Sequence, residues 1–121
     1  MKNFRELQIW SRSHRLTLEV YRLTLRFPKT ETYGLISQMR RSASSIPTNI
    51  AEGCGRNTER DFARFLDNAM GSASELEYQL ILAHDLEYIQ HESFEKTIQE
   101  LTEIRRMLNK FIQKLRAGGN E

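Results

Sequence analysis

Apolar residues recur at spacings of three and four in four separate stretches of the chain, the period of one face of an α-helix. Over about Phe4 to Arg26, one stripe runs through Trp10, His14, Leu18, Tyr21 and Leu25. A second stripe, Ile9, Leu16, Val20 and Leu23, lies well away from it at about 100° per residue. A bundle helix needs one apolar face for its own core. The first stripe is therefore expected to face the core, with His14 a core histidine, and the second to be covered by another subunit. Phe27-Pro28 ends this helix, because the residue before proline is biased away from the α conformation.

A second helix is expected from about Thr30 to Glu52, capped by Thr30 or Thr32, with Leu35, Ile36, Met39, Ala43, Ile46 and Ile50 inward. Pro47 interrupts its hydrogen-bond ladder and predicts a kink, and Gly53-Cys54-Gly55 is the stop signal. A third helix opens at Thr58, with Asp61 three residues on, and carries Phe62, Phe65, Leu66, Ala69, Ala73, Leu76, Leu80 and Ala83 to His84. Its small-residue run, Gly71-Ser72-Ala73-Ser74, predicts close approach of a neighbouring helix. The fourth, from Glu92 or Ser93 to Arg116, follows Phe94, Ile98, Leu101, Ile104, Leu108, Phe111 and Leu115, close to the 3.5-residue repeat of a supercoiled bundle. Gly118-Gly119-Asn120-Glu121 reads as a frayed tail. Short connections force sequential helices antiparallel. The expected fold is all-α: a single-domain, antiparallel up-down-up-down four-helix bundle over residues 1–121, with helices over about 4–26, 30–52, 58–85 and 92–116.

A chain of 121 residues suffices for one core without staples. Cys54 is the single cysteine, which suits a reducing compartment. The N-terminus lacks the apolar run of a signal peptide, and no stretch reaches the roughly 20 apolar residues of a membrane span, so a cytoplasmic protein with no membrane role is expected.

Charge changes the picture more than composition does. The net charge of +2 conceals a basic first half: residues 1–60 hold 11 Lys+Arg against 5 Asp+Glu, and residues 61–121 hold 7 against 11. Arg5, Arg12, Arg15, Arg22 and Arg26 fall within an arc of roughly 100° on the first helix. Lys29, Arg40 and Arg41 extend the positive charge into the second helix. Arginine presents a planar fork to phosphate. Against this, Glu19 lies in the same arc at pairing distance from Arg15 and Arg22, and an arginine stripe on a helix is also an ordinary solvated face. Arg40 or Arg41 is further expected to pair with Glu75 or Glu77 inside the bundle.

No catalytic constellation is evident, and no cofactor is implied. The Glu-x-x-His pairs of di-metal bundles are missing, since His14, His84 and His91 follow Ser11, Ile81 and Tyr88 by three residues. Glu87 and His91 read as surface polar residues, and Cys54 as incidental. Free amides at the start of the third helix, beside Arg56, are a possible phosphate cradle.

Several runs resemble a known family: Phe4-x-x-Leu7-x-x-Trp10, Tyr21 with Phe27-Pro28, Tyr33-Gly34-Leu35 and Gln38-Met39-Arg40-Arg41. Ser45-Ile46-Pro47-Thr48-Asn49-Ile50-Ala51-Glu52-Gly53 and Gly71-Ser72-Ala73-Ser74-Glu75-Leu76-Glu77 complete the set. Together they resemble the small bacterial four-helix-bundle proteins encoded in intervening sequences of 23S ribosomal RNA genes. The resemblance spans nearly the whole chain. It implies an up-down-up-down bundle assembled as a ring-like homopentamer, similar in fold to the nucleic-acid-binding accessory proteins of diversity-generating retroelements. The modest net charge departs from the strongly basic character of those accessory proteins.

The expectation is a non-enzymatic homo-oligomer that contacts structured RNA, or DNA, through phosphate contacts from Arg12, Arg15, Arg22, Arg26, Lys29, Arg40 and Arg41. The alternative is an adaptor ring that binds a protein partner and no nucleic acid.

Overall fold

The computed structural model describes residues 3–119. Four long helices dominate: α1 (Gln8–Thr24), α2 (Ser37–Cys54), α3 (Glu59–Asp85) and α4 (His91–Gly119). A 3-10 turn at Phe4–Glu6 precedes α1, capped by the Asn3 side chain, which accepts from the Arg5 amide. Side-chain pairs across each helix junction run in opposite numerical order. Thr17 meets Ala43 and Thr24 meets Arg40; Ser42 meets Glu75 and Ser45 meets Ser72; Glu77 meets Arg105 and Asp67 meets Arg116. Neighbours in sequence are therefore antiparallel, and the four-helix bundle is the one expected.

The core is continuous, with Val20, Met39, Ile46, Ile50, Leu66, Leu76, Leu80, Ile104 and Leu108 at its centre. The expected inner positions of α2 and α3 are buried, apart from the partly buried Ile36, and α4 buries Leu101, Ile104, Leu108 and Leu115 from its heptad stripe. Thr58 caps α3 as predicted, its hydroxyl accepting from the Asp61 amide at 3.1 Å. That side chain, with Glu59 and Asp61 in the first turn, takes up the positive end of the helix. Arg56 turns away to Glu52 and the Phe65 ring, and Thr58 takes the Asp61 amide that a phosphate there would use.

α1 corrects the sequence reading. Its core face is the second stripe: Leu16 is 3% exposed and Val20 is 0%. The first stripe faces outward, with Leu18 42% and Leu25 76% exposed. His14 is exposed too, stacked on Trp10 at 5.1 Å, and is no core histidine. The reason is chemical. Ser13, Thr17 and Thr24 complete the buried face because each hydroxyl donates back to a carbonyl of its own helix, at Trp10, Ser13 and Val20 respectively. Residues that read as polar thus behave as small core residues, and the longer apolar row is left outside.

The α1–α2 connection is more elaborate than the expected short loop. After Phe27-Pro28 come a 3-10 turn (Lys29–Glu31) and a π-helical turn (Thr32–Ile36). Glu31, not Thr30 or Thr32, supplies the cap: one carboxylate oxygen accepts from the Leu35 amide and the other from the Tyr88 hydroxyl, at 3.0 Å. One residue thereby ties this corner to the α3–α4 turn, where Glu87 takes a left-handed φ of 65°.

α2 runs through Pro47, which has no N–H to give the Ala43 carbonyl. Thr17 of α1 partly fills the gap: its hydroxyl, sharing its one hydrogen with Ser13 O, lies 3.1 Å from that oxygen. The small-residue expectation holds at Ser72, whose hydroxyl meets Ser45 of α2 at 2.9 Å, and at the fully buried Ala73, but not at Gly71. A Cβ on Gly71 meets nothing within 4 Å, whereas a Cβ on Gly53 would lie 2.7 Å from Phe62 Cδ1. Gly53 is a second place where α2 and α3 approach closely. The anticipated tail is partly helical, since α4 continues through Gly119; Asn120 and Glu121 lie outside the described residues.

Candidate nucleic-acid interface

The outer surface of α1 divides by chemistry. Taking about 100° per residue, Arg12, Arg15, Arg22 and Arg26 span an arc of roughly 80°. Trp10, His14, Leu18, Tyr21 and Leu25 span a similar arc centred about 120° away from it. The basic arc borders α4 and the apolar arc borders α2, as the partners of Arg12 and Tyr21 show.

The basic residues differ sharply in how free they are. Arg12 is clamped: Nε and Nη2 each donate at 2.9 Å to the two carboxylate oxygens of Glu100, and Glu103 lies 3.9 Å away. That hydrogen bond, with lesser Coulombic help from Glu100 and Glu103, raises the guanidinium pKa above its ordinary value despite some desolvation. Arg22 pairs with Glu19 at 2.9 Å on the open surface.

Arg40 does not reach Glu75 or Glu77. Its guanidinium sits 4.5 Å from the centre of the Tyr21 ring and donates to Thr24 Oγ1 and the Tyr21 carbonyl, joining α2 to α1. Glu75 accepts from Ser42, and Glu77 pairs with Arg105 of α4. The expected internal pair is absent because α1 carries an acceptor at Thr24 nearer to Arg40. Arg15, Arg26, Lys29 and Arg41 are exposed and make no ion pair among the described residues.

An open groove of about 790 Å³ lies between α1 and α4, with Arg12, Arg15, Arg22 and Lys96 on its walls. Lys96 was missed by the sequence reading, which followed charge along α1 and not across to its neighbour. The available signal was periodic: Lys96, Arg106, Lys110 and Lys114 fall within an arc of roughly 80° on α4. Glu19, Glu100 and Glu103 line the same groove. Arg106 donates to Glu103 and holds that carboxyl below its usual range, with a smaller Coulombic contribution from Arg12. The groove is consequently a mixed field in which Arg12, Arg15, Arg22 and Lys96 stand beside three carboxylates.

Among the described residues no group of three or more histidine, cysteine, aspartate or glutamate side chains is placed to hold a metal ion. No helix among them is long and apolar enough to cross a membrane.

No curated protein matches the chain. A solved structure of a protein of unknown function from the S23 ribosomal protein family of Bacteroides thetaiotaomicron is similar throughout. It shares 28% identity over 86% of this chain and 97% of that one, with a TM-score of 0.78. The family model described as 23S rRNA-intervening sequence protein matches residues 5–110. Spanning nearly all of α1 to α4, that match shows that the chain belongs to the 23S rRNA-intervening sequence protein family.

Proposed function

We propose that this protein is a non-enzymatic, cytoplasmic homo-oligomer that binds structured RNA through the outer rim of α1. The observation that carries this reading is the separation of two stripes on one helix. Leu18, Tyr21 and Leu25 stand exposed on one face of the helix, which supports burial against another copy. Because the arginine arc lies about 120° around the helix axis, closing a ring through the apolar arc leaves Arg15 and Arg26 facing solvent. The family resemblance implies a pentamer.

The phosphate contacts fall to Arg15, Arg22, Arg26, Lys29 and Arg41, joined by Lys96. Arg12 and Arg40 act first as struts between helices. Backbone contacts position without specifying sequence, so discrimination among RNAs should be weak. The adaptor reading draws support from the carboxylates that neutralise Arg12 and Arg22.

The test has two arms. Size-exclusion chromatography with light scattering should give a mass several times the 14.3 kDa chain, and a monomer refutes the oligomer. Binding to structured ribosomal RNA fragments across a salt series should weaken steeply with salt and be lost in R15Q/R26Q/K29Q at unchanged mass. No binding at about 50 mM salt, where such contacts are strong, refutes the RNA role and leaves the adaptor.

A further inference from the structure

The corner between α3 and α4 holds an arrangement outside the proposed RNA surface. His84, in the last turn of α3, and His91, in the first turn of α4, face each other with Nε2 and Nδ1 3.2 Å apart. The outer nitrogen of each ring faces a carboxylate: His84 Nδ1 is 3.7 Å from Asp85 Oδ1, and His91 Nε2 is 3.6 Å from Glu95 Oε1. Phe94 stacks on His84 at 4.2 Å between ring centres and fixes that ring's plane.

This arrangement has a proton-counting conflict. Two neutral imidazoles share one N–H in the contact between them, so the ring that donates it keeps a bare lone pair at its outer nitrogen. That lone pair then points toward a carboxylate 3.6–3.7 Å away, outside direct hydrogen-bond reach, whichever tautomer forms. Either a proton shared between the inner nitrogens or a metal ion held there removes the conflict, because both outer nitrogens then carry hydrogen toward their carboxylates. Metal-ligating histidines characteristically donate their second N–H to a carboxylate, and Asp85 and Glu95 stand 3.6–3.7 Å from the outer nitrogens, near enough to take that role on a small shift.

The geometry also suits a metal. With nitrogen–metal distances of about 2.0–2.1 Å, a 3.2 Å separation subtends about 100–106° at the ion, between the octahedral cis angle and the tetrahedral angle. We propose that His84 and His91 form a two-histidine site for a late first-row divalent transition-metal ion, with Asp85 and Glu95 orienting the ligands. Imidazole donors select zinc, nickel or copper over magnesium or calcium. Among the described residues no third histidine, cysteine or carboxylate completes a metal-binding group, so water completes the coordination sphere. The ion would clasp the end of α3 to the start of α4 across the turn that carries Glu87.

The experiment titrates Zn2+ into the tag-free full chain, followed by calorimetry and by NMR of the imidazole nitrogens. Expected are shifts at His84 Nε2 and His91 Nδ1, with the outer nitrogens protonated. Binding should be lost in H84Q and in H91Q and retained in H14Q, and E95Q should weaken it about tenfold, as loss of an orienting partner does. Three results overturn the proposal: no response to a large molar excess of Zn2+, binding that persists in both H84Q and H91Q, or shifts confined to other nitrogens. Because the readout is on wild-type protein as well as variants, a variant that folds poorly does not hide the answer. A pair that responds only to pH, and not to Zn2+, is a shared-proton contact and refutes the metal site.

Discussion

Replacing Thr17 by valine should expose the dependence of α1 on the proline of α2. The substitution keeps the shape and removes the hydroxyl that bridges Ser13 O at 2.8 Å and Ala43 O at 3.1 Å. Ser13 O loses little, since it retains the backbone amide four residues on. Ala43 O has no such reserve, because Pro47 supplies no N–H. A buried acceptor left without a partner costs about 1–3 kcal/mol. For a chain between the sizes usually tabulated, that is a fall in melting temperature of roughly 3–15 °C.

The decisive arm is a double-mutant cycle with Pro47→Ala. Alanine at 47 restores an amide to Ala43 O, so Thr17→Val should cost about 1–2 kcal/mol less in that background. The assay is thermal and urea denaturation by circular dichroism at one fixed protein concentration, because self-association adds to apparent stability. Additivity within about 0.3–0.5 kcal/mol would refute the claim that the hydroxyl stands in for the missing amide.

Gly71→Ala should stabilise by about 0.5–1 kcal/mol, since the new methyl meets open space. Gly53→Ala should destabilise, because its Cβ presses on Phe62; equal effects on urea midpoints would contradict the packing. Tyr88 donates to Glu31, which with desolvation raises the phenol pKa above its ordinary value. A raised folded pKa gives stability that is fully present below about pH 10 and lost as pH climbs through the folded value. Ultraviolet titration should find Tyr88 ionising above the ordinary tyrosine value, and Glu31→Gln should lower the Tyr88 pKa. The Arg12–Glu100 clamp is partly solvated, so a double-mutant cycle should return no more than about 1 kcal/mol and less at high salt. A coupling unaffected by salt would mean the pair is more enclosed than its exposure indicates.

The bundle itself was legible because three of its helices obey the simplest rule: apolar side chains at helical spacing are the core. Phe62 to Ala83 on α3 and Leu101 to Leu115 on α4 needed nothing further, and Thr58 announced its cap by residue type alone. The basic arc of α1 was equally visible, since charge and a 100° step suffice to place it. Which arginines are free was not visible. Arg12 and Arg40 look like Arg15 and Arg26 in one dimension, and only Glu100 on α4 and Thr24 on α1, 88 and 16 residues away, distinguish them.

By itself, then, the sequence determined the number of helices, their order, their antiparallel sense and the two chemically different stripes of α1. Periodicity and turn chemistry are local properties, and they suffice for these. Tertiary structure alone decided which stripe of α1 faces inward. The three hydroxyl residues on the buried face satisfy themselves on their own carbonyls, and one also serves the gap left by Pro47 on another helix. It also brought His84 and His91 face to face across a turn whose left-handed residue carries no glycine to mark it. A hydrogen bond between distant residues leaves no trace in spacing, and so these contacts appear only once the helices have packed.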